Sequence, residues 1–314
     1  MTLTIGVDVG GTKVLGAVVD PAGTVLAEVR RHTPANDVSE TLTTIVDTIA
    51  ELAKDHQVEA VGIGAAGWID ARRSTVLFAP NLAWKGEPLR DKVAAEVGLP
   101  VVVENDANVA GWAEYRFGAA AHVENMVLFT VGTGIGGAVV LDGALVRGAH
   151  GMAGELGHML AVPDGHPCGC GRRGCIEQYA SGKALVRSAR RRAAENPEQA
   201  RVLLEHAGGD PGLIDGPTVT AAARAGDPVA IAAFDEIGYW LGNGMADLVQ
   251  ILDPEVIVVG GGVVEAGELL LEPARRACHE ALQARGALPY AEIRAAEMGP
   301  YAGVVGAADL ARRR

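Results

Sequence analysis

A short segment of the chain concentrates side chains that bind metal ions. Cys168, Cys170 and Cys175, three of the four cysteines in the sequence, lie within the stretch HPCGCGRRGCIEQ. They are too close together for a comfortable disulfide framework, whereas clustered thiolates are typical of a tetrahedral Zn²⁺ site. We expect a histidine as the fourth ligand, and four protein ligands would make the ion structural rather than catalytic. Three histidines are near enough in sequence: His150, His158 and His166.

An acidic residue follows a strongly apolar strand. The valines at 101–103 lead into the residues ENDAN, and a helix is predicted to begin near Ala107. In this position Asp106 is expected at a sheet edge, where a carboxylate can accept a proton from a substrate hydroxyl. Aspartate is also a favoured helix N-cap, so the residue alone fits either role. Glu104 and Asn108 flank it, and we expect them to support the site or to lie at the surface.

Two glycine-rich turns have the form of anion-binding hairpins. DVGGTK (8–13) and TVGTGIGG (130–137) each place a turn with threonine between two predicted strands. Such turns present backbone N–H groups and hydroxyls to an anion, although each alone also reads as a plain hairpin with glycine at positive φ. Two matching turns, one opening each half, favour a pair of phosphate-binding sites. A third element, VIVVGGG (256–262), ends in glycines that permit an adenine to lie flat against the backbone.

The sequence supports neither of two other common nucleotide-binding motifs. GIGAAG (62–67) fits the dinucleotide fingerprint G-x-G-x-x-G, but that fingerprint requires a helix immediately after it. The following residues, WIDARRSTV, have no helical pattern. The P-loop motif G-x-x-x-x-G-K-[ST] occurs nowhere in the sequence. A Rossmann site and a P-loop are therefore both disfavoured.

The elements that must position these residues repeat one arrangement in both halves. A predicted meander of three strands is followed by a helix from Ser39, its predicted N-cap, to about His56. The second half begins with NMVLFTV and GGAVVLDGALV, continues through a helix-rich stretch at 181–252, and ends with a strand and a helix of small residues. Hairpin strands followed by strands that alternate with helices predict mixed α/β sheets in both halves. The triple arginine at 190–192 is predicted to be a solvated helix end.

Composition limits the classes of protein and partner. A chain of 314 residues favours two domains, and 49% hydrophobic residues with 42 glycines suits an α/β enzyme. The net charge of −12 and the isoelectric point of about 5.1 disfavour nucleic acid and anionic membranes as partners. We see no signal peptide and no apolar run long enough to cross a bilayer, so we expect a cytoplasmic protein with reduced thiols.

The order of these motifs resembles the actin/hexokinase-like ATPase superfamily. A glycine-rich hairpin, then GELGH, then CGCGRRGCIE is similar to the ROK family of sugar kinases and sugar-responsive repressors, and the resemblance covers essentially the whole chain from Ile5. It implies a two-lobed actin/hexokinase-like (RNase H-like) α/β fold with mixed sheets and a hinge cleft. We expect a small lobe at 1–110 joined by the C-terminal helix at 302–314, and a large lobe at 111–301 with the zinc-binding loop.

The resemblance also implies an activity, ATP-dependent phosphorylation of glucose at the 6-hydroxyl, as in the glucokinase branch. Asp106 would be the general base, and His158 the fourth zinc ligand with Cys168, Cys170 and Cys175. The implied sugar-binding residues are Gly67, Asn105, Asp106, Glu155, His158 and Glu177. Asp8 would orient Mg²⁺ through water. The implied ATP-binding residues are Asp8, Gly10, Gly11, Thr12, Lys13, Thr133, Gly134, Gly261 and Gly262. A homodimer or homotetramer is expected.

Several alternatives remain open at this point. Fructokinase, N-acetylmannosamine kinase and polyphosphate-using glucokinase activities depend on pocket atoms that the sequence does not locate. A sugar-sensing repressor of the same family would need a DNA-binding winged helix ahead of IGVDVGGTK, and only four residues precede Ile5. The acidic charge also disfavours a repressor. We therefore expect a kinase.

Overall fold

The computed structural model describes residues 2–286 and 289–313 of the chain. Its strands are β1 (Leu3–Val9), β2 (Lys13–Val19), β3 (Val25–His32), β4 (Val58–Ala65), β5 (Trp68–Ile69), β6 (Val76–Phe78), β7 (Lys85–Glu87), β8 (Val101–Asn105), β9 (Met126–Val131), β10 (Ile135–Leu141), β11 (Ala144–Leu145), β12 (Val256–Gly260) and β13 (Glu292–Ala295). Its α-helices are α1 (Val38–Ala53), α2 (Leu89–Val97), α3 (Asp106–Phe117), α4 (Glu177–Ala180), α5 (Gly182–Glu195), α6 (Arg201–His206), α7 (Gly216–Arg224), α8 (Pro228–Leu252), α9 (Glu268–Ala281) and α10 (Ala302–Arg312).

The first sheet is mixed, with the strand order β3-β2-β1-β4-β8. β1, β2 and β3 form the antiparallel meander that the sequence predicts, while β4 and β8 run parallel to β1. The carboxyl ends of β1, β4 and β8 therefore meet at one edge, which is where parallel sheets place their ligand sites.

Helices cover both faces of this sheet. Along β2, Val14 and Val18 share a buried cluster with α1, whereas Leu15, Ala17 and Val19 share one with α10. This alternation follows from the two-residue period of a strand. Glycines paired across β1 and β4 let the backbone of α10 approach closely, because a Cβ at Gly6 or Gly62 would overlap a carbonyl oxygen of that helix.

The second sheet has the strand order β11-β10-β9-β12-β13, with β10 and β11 antiparallel and β12 and β13 parallel. A small third sheet contains β5, β6 and β7. The strands β5 and β6 follow GIGAAG, so the segment after that motif is not helical. The prediction of mixed α/β sheets is confirmed.

The chain divides into two compact units. Unit 1 contains residues 1–128, 138–154 and 296–314, and unit 2 contains 129–137 and 155–295. The two lobes expected from the sequence, with a boundary near residue 110, stay a prediction.

Helix α1 corrects one detail of the sequence analysis. The predicted N-cap, Ser39, lies inside the helix, and the observed N-cap is Asp37. The Asp37 carboxylate accepts hydrogen bonds from the N–H groups of Ser39 and Glu40, at 2.8 and 2.9 Å. Both residue types cap helices well, and the one whose oxygen reaches the first free N–H groups sets the boundary.

None of the helices within 2–286 and 289–313 combines the length and the apolar character needed to cross a bilayer.

Candidate active site and metal centre

Asp106 is the first residue of α3, directly after the end of β8. The N-cap of α3 is Asn105, whose side-chain oxygen accepts from the N–H of Asn108 at 3.0 Å, so Asp106 does not serve as the cap. Asp106 Oδ1 accepts from the N–H of Ala107 at 2.9 Å and from Asn105 Nδ2 at 3.0 Å. Burial raises the pKa of the Asp106 carboxyl, although these hydrogen bonds oppose the rise. A raised pKa brings a carboxylate closer to the range in which a general base works best.

The carboxyl ends of three parallel strands bring the predicted residues of unit 1 together. Asn105 Nδ2 also donates to the carbonyl oxygen of Gly67, which follows β4, at 3.1 Å. Asp8, near the end of β1, has its pKa raised to about 6, first by burial and then by repulsion from Asp106, while Lys13 lowers it. Two carboxylates that influence each other at a strand-end edge form a suitable site for a proton acceptor and a hydrated cation.

Glu104 supports this edge from beneath and is not a surface residue. Its side chain is buried, and Oε1 accepts from the N–H of Asn105 at 3.1 Å and from Asn108 Nδ2 at 3.0 Å. Its second oxygen accepts from Arg73 Nε at 2.9 Å. Glu104 and Asn108 thus fix the start of α3. The surface interpretation of both residues is wrong, because a strand that ends at a buried edge keeps its last polar side chains inside.

The first hairpin, at residues 8–13, is anchored through its carbonyl groups. Gly10 N–H donates across the turn to Lys13 O at 3.0 Å. Thr33 then secures the turn from outside, because its hydroxyl donates to Gly10 O at 2.8 Å and its N–H to Thr12 O at 3.1 Å. Gly11 lies between these anchors, next to Asn81. Such a fixed turn is a rigid frame for N–H groups that bind an anion.

The predicted metal ligands form one cluster in unit 2. His158, Cys168, Cys170 and Cys175 each offer a ligand atom, and these four atoms all lie within 4.8 Å of one another. Cys170 Sγ and Cys175 Sγ are 3.7 Å apart, and Cys168 Sγ is 3.7 Å from His158 Nδ1. A tetrahedron with Zn–S bonds of about 2.3 Å and a Zn–N bond of about 2.0 Å has edges of roughly 3.5–3.8 Å. The donor set and its spacing therefore fit Zn²⁺.

The other two histidine candidates lie outside this cluster. The ring of His166 packs against Tyr179, with the ring centroids 5.3 Å apart, and His150 is exposed. In His158 the atom next to the cysteines is Nδ1, while Nε2 lies 4.0 Å from Glu155 Oε2. A metal on Nδ1 would leave Nε2 to address a ligand on the Glu155 side.

Glu177 begins α4 and connects this cluster to the second hairpin. Its Oε2 accepts from the N–H of Ile135 at 3.1 Å. Its Oε1 lies 3.4 Å from Gln178 Nε2 and 3.8 Å from Cys168 Sγ. The sequence placed Glu177 and the hairpin in separate motifs, and the hydrogen bond between them was not foreseen.

A cavity of about 860 Å³ opens beside the second hairpin in unit 2. Gly132 and Thr133 of the hairpin line it, together with Gly262 after β12. Gly261 lies against the backbone of Val131, and Gly134 lies against Glu177. The cavity is also bordered by cationic side chains that the sequence analysis missed: Lys183, Arg187, Arg190 and Arg224.

Arg190 shows why these cations were missed. It belongs to the triple arginine predicted to be solvated, but its guanidinium donates to Ile214 O at 2.9 and 2.7 Å beside the cavity. Its neighbours Arg191 and Arg192 instead pair with Glu236 at 3.0 and 2.9 Å. Helical phase separates the three side chains, and the Ile214 partner comes from a distant loop. The helical period was the only signal in the sequence that distinguished Arg190 from its neighbours.

Comparison with known proteins shows the family to which the chain belongs. Residues 4–314 match the ROK family. The glucokinase of Streptomyces coelicolor is 49% identical over 316 residues, covering 99% of this chain and 98% of that protein. A crystal structure of a ROK family glucokinase from Streptomyces griseus in complex with glucose and AMPPNP is 50% identical, with a TM-score of 0.89, covering 99% of this chain and 100% of that one. The ROK hexokinase from Thermus thermophilus is 35% identical, with a TM-score of 0.82, covering 99% and 98% of the two chains. The expected fold class is confirmed.

Proposed function

The chain belongs to the ROK family, and from this premise we propose that it is a glucokinase, transferring the γ-phosphoryl group of ATP to the 6-hydroxyl of glucose. The observation that carries the proposal is the Asp106 carboxylate, held at the carboxyl end of β8 with a raised pKa. A repressor needs a sugar site but no proton acceptor, whereas a kinase needs both.

Asp106 removes the proton from the 6-hydroxyl as the new oxygen–phosphorus bond forms. The bond between the γ-phosphorus and its bridging oxygen breaks, ADP leaves, and the proton stays on Asp106 until water accepts it. Asn105 and the N–H of Ala107 hold Oδ1, so the carboxylate is oriented before the sugar arrives. The hydroxyls of glucose need both hydrogen-bond donors and acceptors. We propose the side chains of Asn105, Glu155, His158 and Glu177 for that role, with Gly67 contributing its backbone.

The two hairpins and the cavity of unit 2 are the proposed ATP site. Gly10, Gly11, Thr12 and Lys13 of the first hairpin and Thr133 and Gly134 of the second would bind the phosphates, and Gly261 and Gly262 would lie near the adenosine. Lys183 and Arg187 border the cavity and would attract the polyanionic tail. Asp8 would hold a hydrated Mg²⁺, which neutralises charge on the transferring phosphoryl group.

The Cys₃His cluster would hold a structural Zn²⁺, because four protein ligands leave no position for substrate. The ion would fix His158 and the loop that leads to Glu177. We also propose two lobes, a cytoplasmic location and a homodimer or homotetramer, in keeping with the sequence-based expectations.

The decisive experiment is a coupled assay of ADP release with ATP and a panel of hexoses. We expect turnover with glucose, and Asp106→Asn serves as the matched control. A preference for fructose or N-acetylmannosamine would replace glucose as the proposed substrate. A higher activity with polyphosphate would replace ATP as the proposed phosphoryl donor. Absence of ADP release with every hexose would contradict the kinase proposal.

A further inference from the structure

Glu177 makes a hydrogen bond that sugar binding does not require. Its Oε2 accepts from the backbone N–H of Ile135 at 3.1 Å, and Ile135 is the first residue of β10 after the glycine turn of the second hairpin. Ile135 is itself buried. A charged acceptor strengthens a hydrogen bond to a backbone N–H, and this part-buried contact constrains the position of the chain that carries the donor.

Two glycines leave no room for a side chain beside the contact between Glu177 and Ile135. A Cβ at Gly134 would overlap the Glu177 carboxylate, and a Cβ at Gly157 would overlap the carbonyl oxygen of Ile135. The backbone at Ile135 is therefore enclosed between Glu177 and the GELGH segment that contains Gly157. Both neighbours come from segments proposed to bind sugar, and both touch the hairpin proposed to bind phosphate.

The same hairpin is anchored at its other end by α5. The N–H of Gly182 donates to Gly132 O at 2.8 Å. Between the two anchors, Gly132 and Ile135, lie Thr133, which lines the cavity, and Gly134. Loss of either anchor would release the turn that presents N–H groups to the phosphates.

We propose that Glu177 is a positioning residue for the nucleotide hairpin as well as a sugar ligand, so that glucose and nucleotide bind cooperatively through its two carboxylate oxygens. This inference rests on the proposed function. Oε2 accepts from Ile135 N–H, while within residues 2–286 and 289–313 the contacts of Oε1 are longer, at 3.4 Å to Gln178 Nε2 and 3.8 Å to Cys168 Sγ. Oε1 is therefore the oxygen that a sugar hydroxyl can engage.

The sign of the coupling follows from the freedom of this side chain. A hydroxyl on Oε1 restricts the carboxylate to the orientation in which Oε2 faces Ile135. The nucleotide then binds to a hairpin that is already ordered. By linkage, bound nucleotide raises the affinity for glucose by the same factor. We expect glucose to lower the Kd of a non-hydrolysable ATP analogue by about fivefold or more.

Isothermal titration with this analogue, first without sugar, tests the proposal. In Glu177→Ala we expect the sugar-free nucleotide Kd to rise about tenfold, because the Ile135 anchor is lost. Glu177→Gln keeps an oxygen that can accept from Ile135, so most of the sugar-free affinity should return while glucose affinity stays low. In Glu177→Gln the glucose-induced tightening should fall below about twofold. The matched control is Glu155→Gln, since that carboxylate lies 4.0 Å from His158 Nε2. Glu155→Gln should lower the affinity for glucose and leave the nucleotide Kd measured without sugar unchanged.

The outcomes separate this inference from the proposed function. If the wild type phosphorylates glucose and Glu177→Ala binds nucleotide within about twofold of it without sugar, Glu177 is a sugar ligand only and the inference is overturned. If Glu177→Ala fails to fold, the coupling factor of Glu177→Gln decides, and wild-type coupling there overturns the inference. A wild type that phosphorylates no hexose contradicts the proposed function instead.

Discussion

Asn105 donates a hydrogen bond from its side-chain amide to Asp106 Oδ1 at 3.0 Å, and the same nitrogen donates to Gly67 O at 3.1 Å. Its oxygen accepts from the N–H of Asn108 at 3.0 Å. A reversed amide would bring its oxygen against two acceptors and its nitrogen against a donor, so the network permits one orientation. The carboxylate of Asp106 is therefore held by a residue that is itself fixed at both ends of its amide group.

The first prediction concerns proton transfer by this carboxylate. Asp106→Asn keeps the shape of the side chain and its bond to Ala107 N–H but removes the basic oxygen. We expect kcat to fall by about 10²–10⁴, with glucose affinity changed little. Steady-state kinetics and titration with glucose measure the two effects separately. Turnover within about tenfold of the wild type would exclude Asp106 as the general base.

The second prediction concerns stability and pH. The pKa of Asp8 is raised from 3.8 to about 6, so the folded state holds this proton more tightly than the unfolded state. The protonated Asp8 carboxyl therefore makes its full contribution to the free energy of unfolding below pH 3.8, and this contribution is lost as the pH rises to about 6. Without divalent cations, the free energy of unfolding of Asp8→Asn relative to the wild type should rise by about 2–3 kcal/mol between these two pH values.

Asp70 supplies a control of opposite sign for this experiment. Burial opposes its ionisation, but the N–H groups of Ser74 and Thr75 and the Ser74 hydroxyl outweigh burial and lower the pKa of Asp70. Asp70→Asn should therefore lose stability relative to the wild type as the pH rises from acid to neutral. Chemical denaturation across this range measures both variants. Parallel curves for Asp8→Asn and the wild type would show that Asp8 ionises freely in the folded protein.

The third prediction concerns the metal. Cys168→Ala, Cys170→Ala and Cys175→Ala should behave alike, because each removes one vertex of the same cluster. Each should lose zinc and bind glucose weakly, since the loop between His158 and Glu177 is then unsupported. Cys278→Ala, a change at a buried cysteine of α9, and His166→Ala should both retain zinc.

Zinc content and glucose Kd, measured across these five variants, distinguish support of the sugar site from support of folding alone. A zinc-free variant with wild-type glucose affinity would assign the cluster to folding alone.

The fourth prediction concerns the second hairpin. Gly134→Ala places a Cβ where the Glu177 carboxylate lies, so it should weaken the binding of both glucose and nucleotide. At Gly132, by contrast, a Cβ meets no described atom within 4 Å and borders the cavity, so Gly132→Ala should affect nucleotide alone. Calorimetric titration with each ligand compares the two variants. Unchanged glucose affinity in Gly134→Ala would show that Glu177 can move aside without cost.

The elements were predictable where a local pattern determines them. Short apolar runs separated by turn residues predicted the meander of β1, β2 and β3, and the cysteine spacing predicted the cluster of candidate metal ligands. The choice among three histidines was different, because composition favours none of them. It depended on the resemblance of GELGH to a known family, and the chain does bring His158 to the cysteines.

Contacts between distant segments were the part that the sequence did not reveal. The sequence leaves Glu104 as either a supporting or a surface residue, and the contact with Arg73, 31 residues away, decides between the two. Arg190 reads as solvated until the carbonyl of Ile214 is found beside it. Each partner is separated in sequence by an interval that no local period encodes, so only the folded chain identifies the pair.

The close packing of α10 on the first sheet has a consequence for synthesis. Thr4 of β1 donates to Ala308 O of α10, a contact that spans 304 residues. At about 5–20 residues per second, a ribosome takes roughly 15 to 60 s to make the intervening chain. For that time Leu15, Ala17 and Val19 lack the part of their cover that α10 supplies, although Ala113 of α3 belongs to the same buried cluster. This sheet face therefore stays partly uncovered until α10 has been made, and apolar surface exposed in this way during synthesis is prone to aggregation.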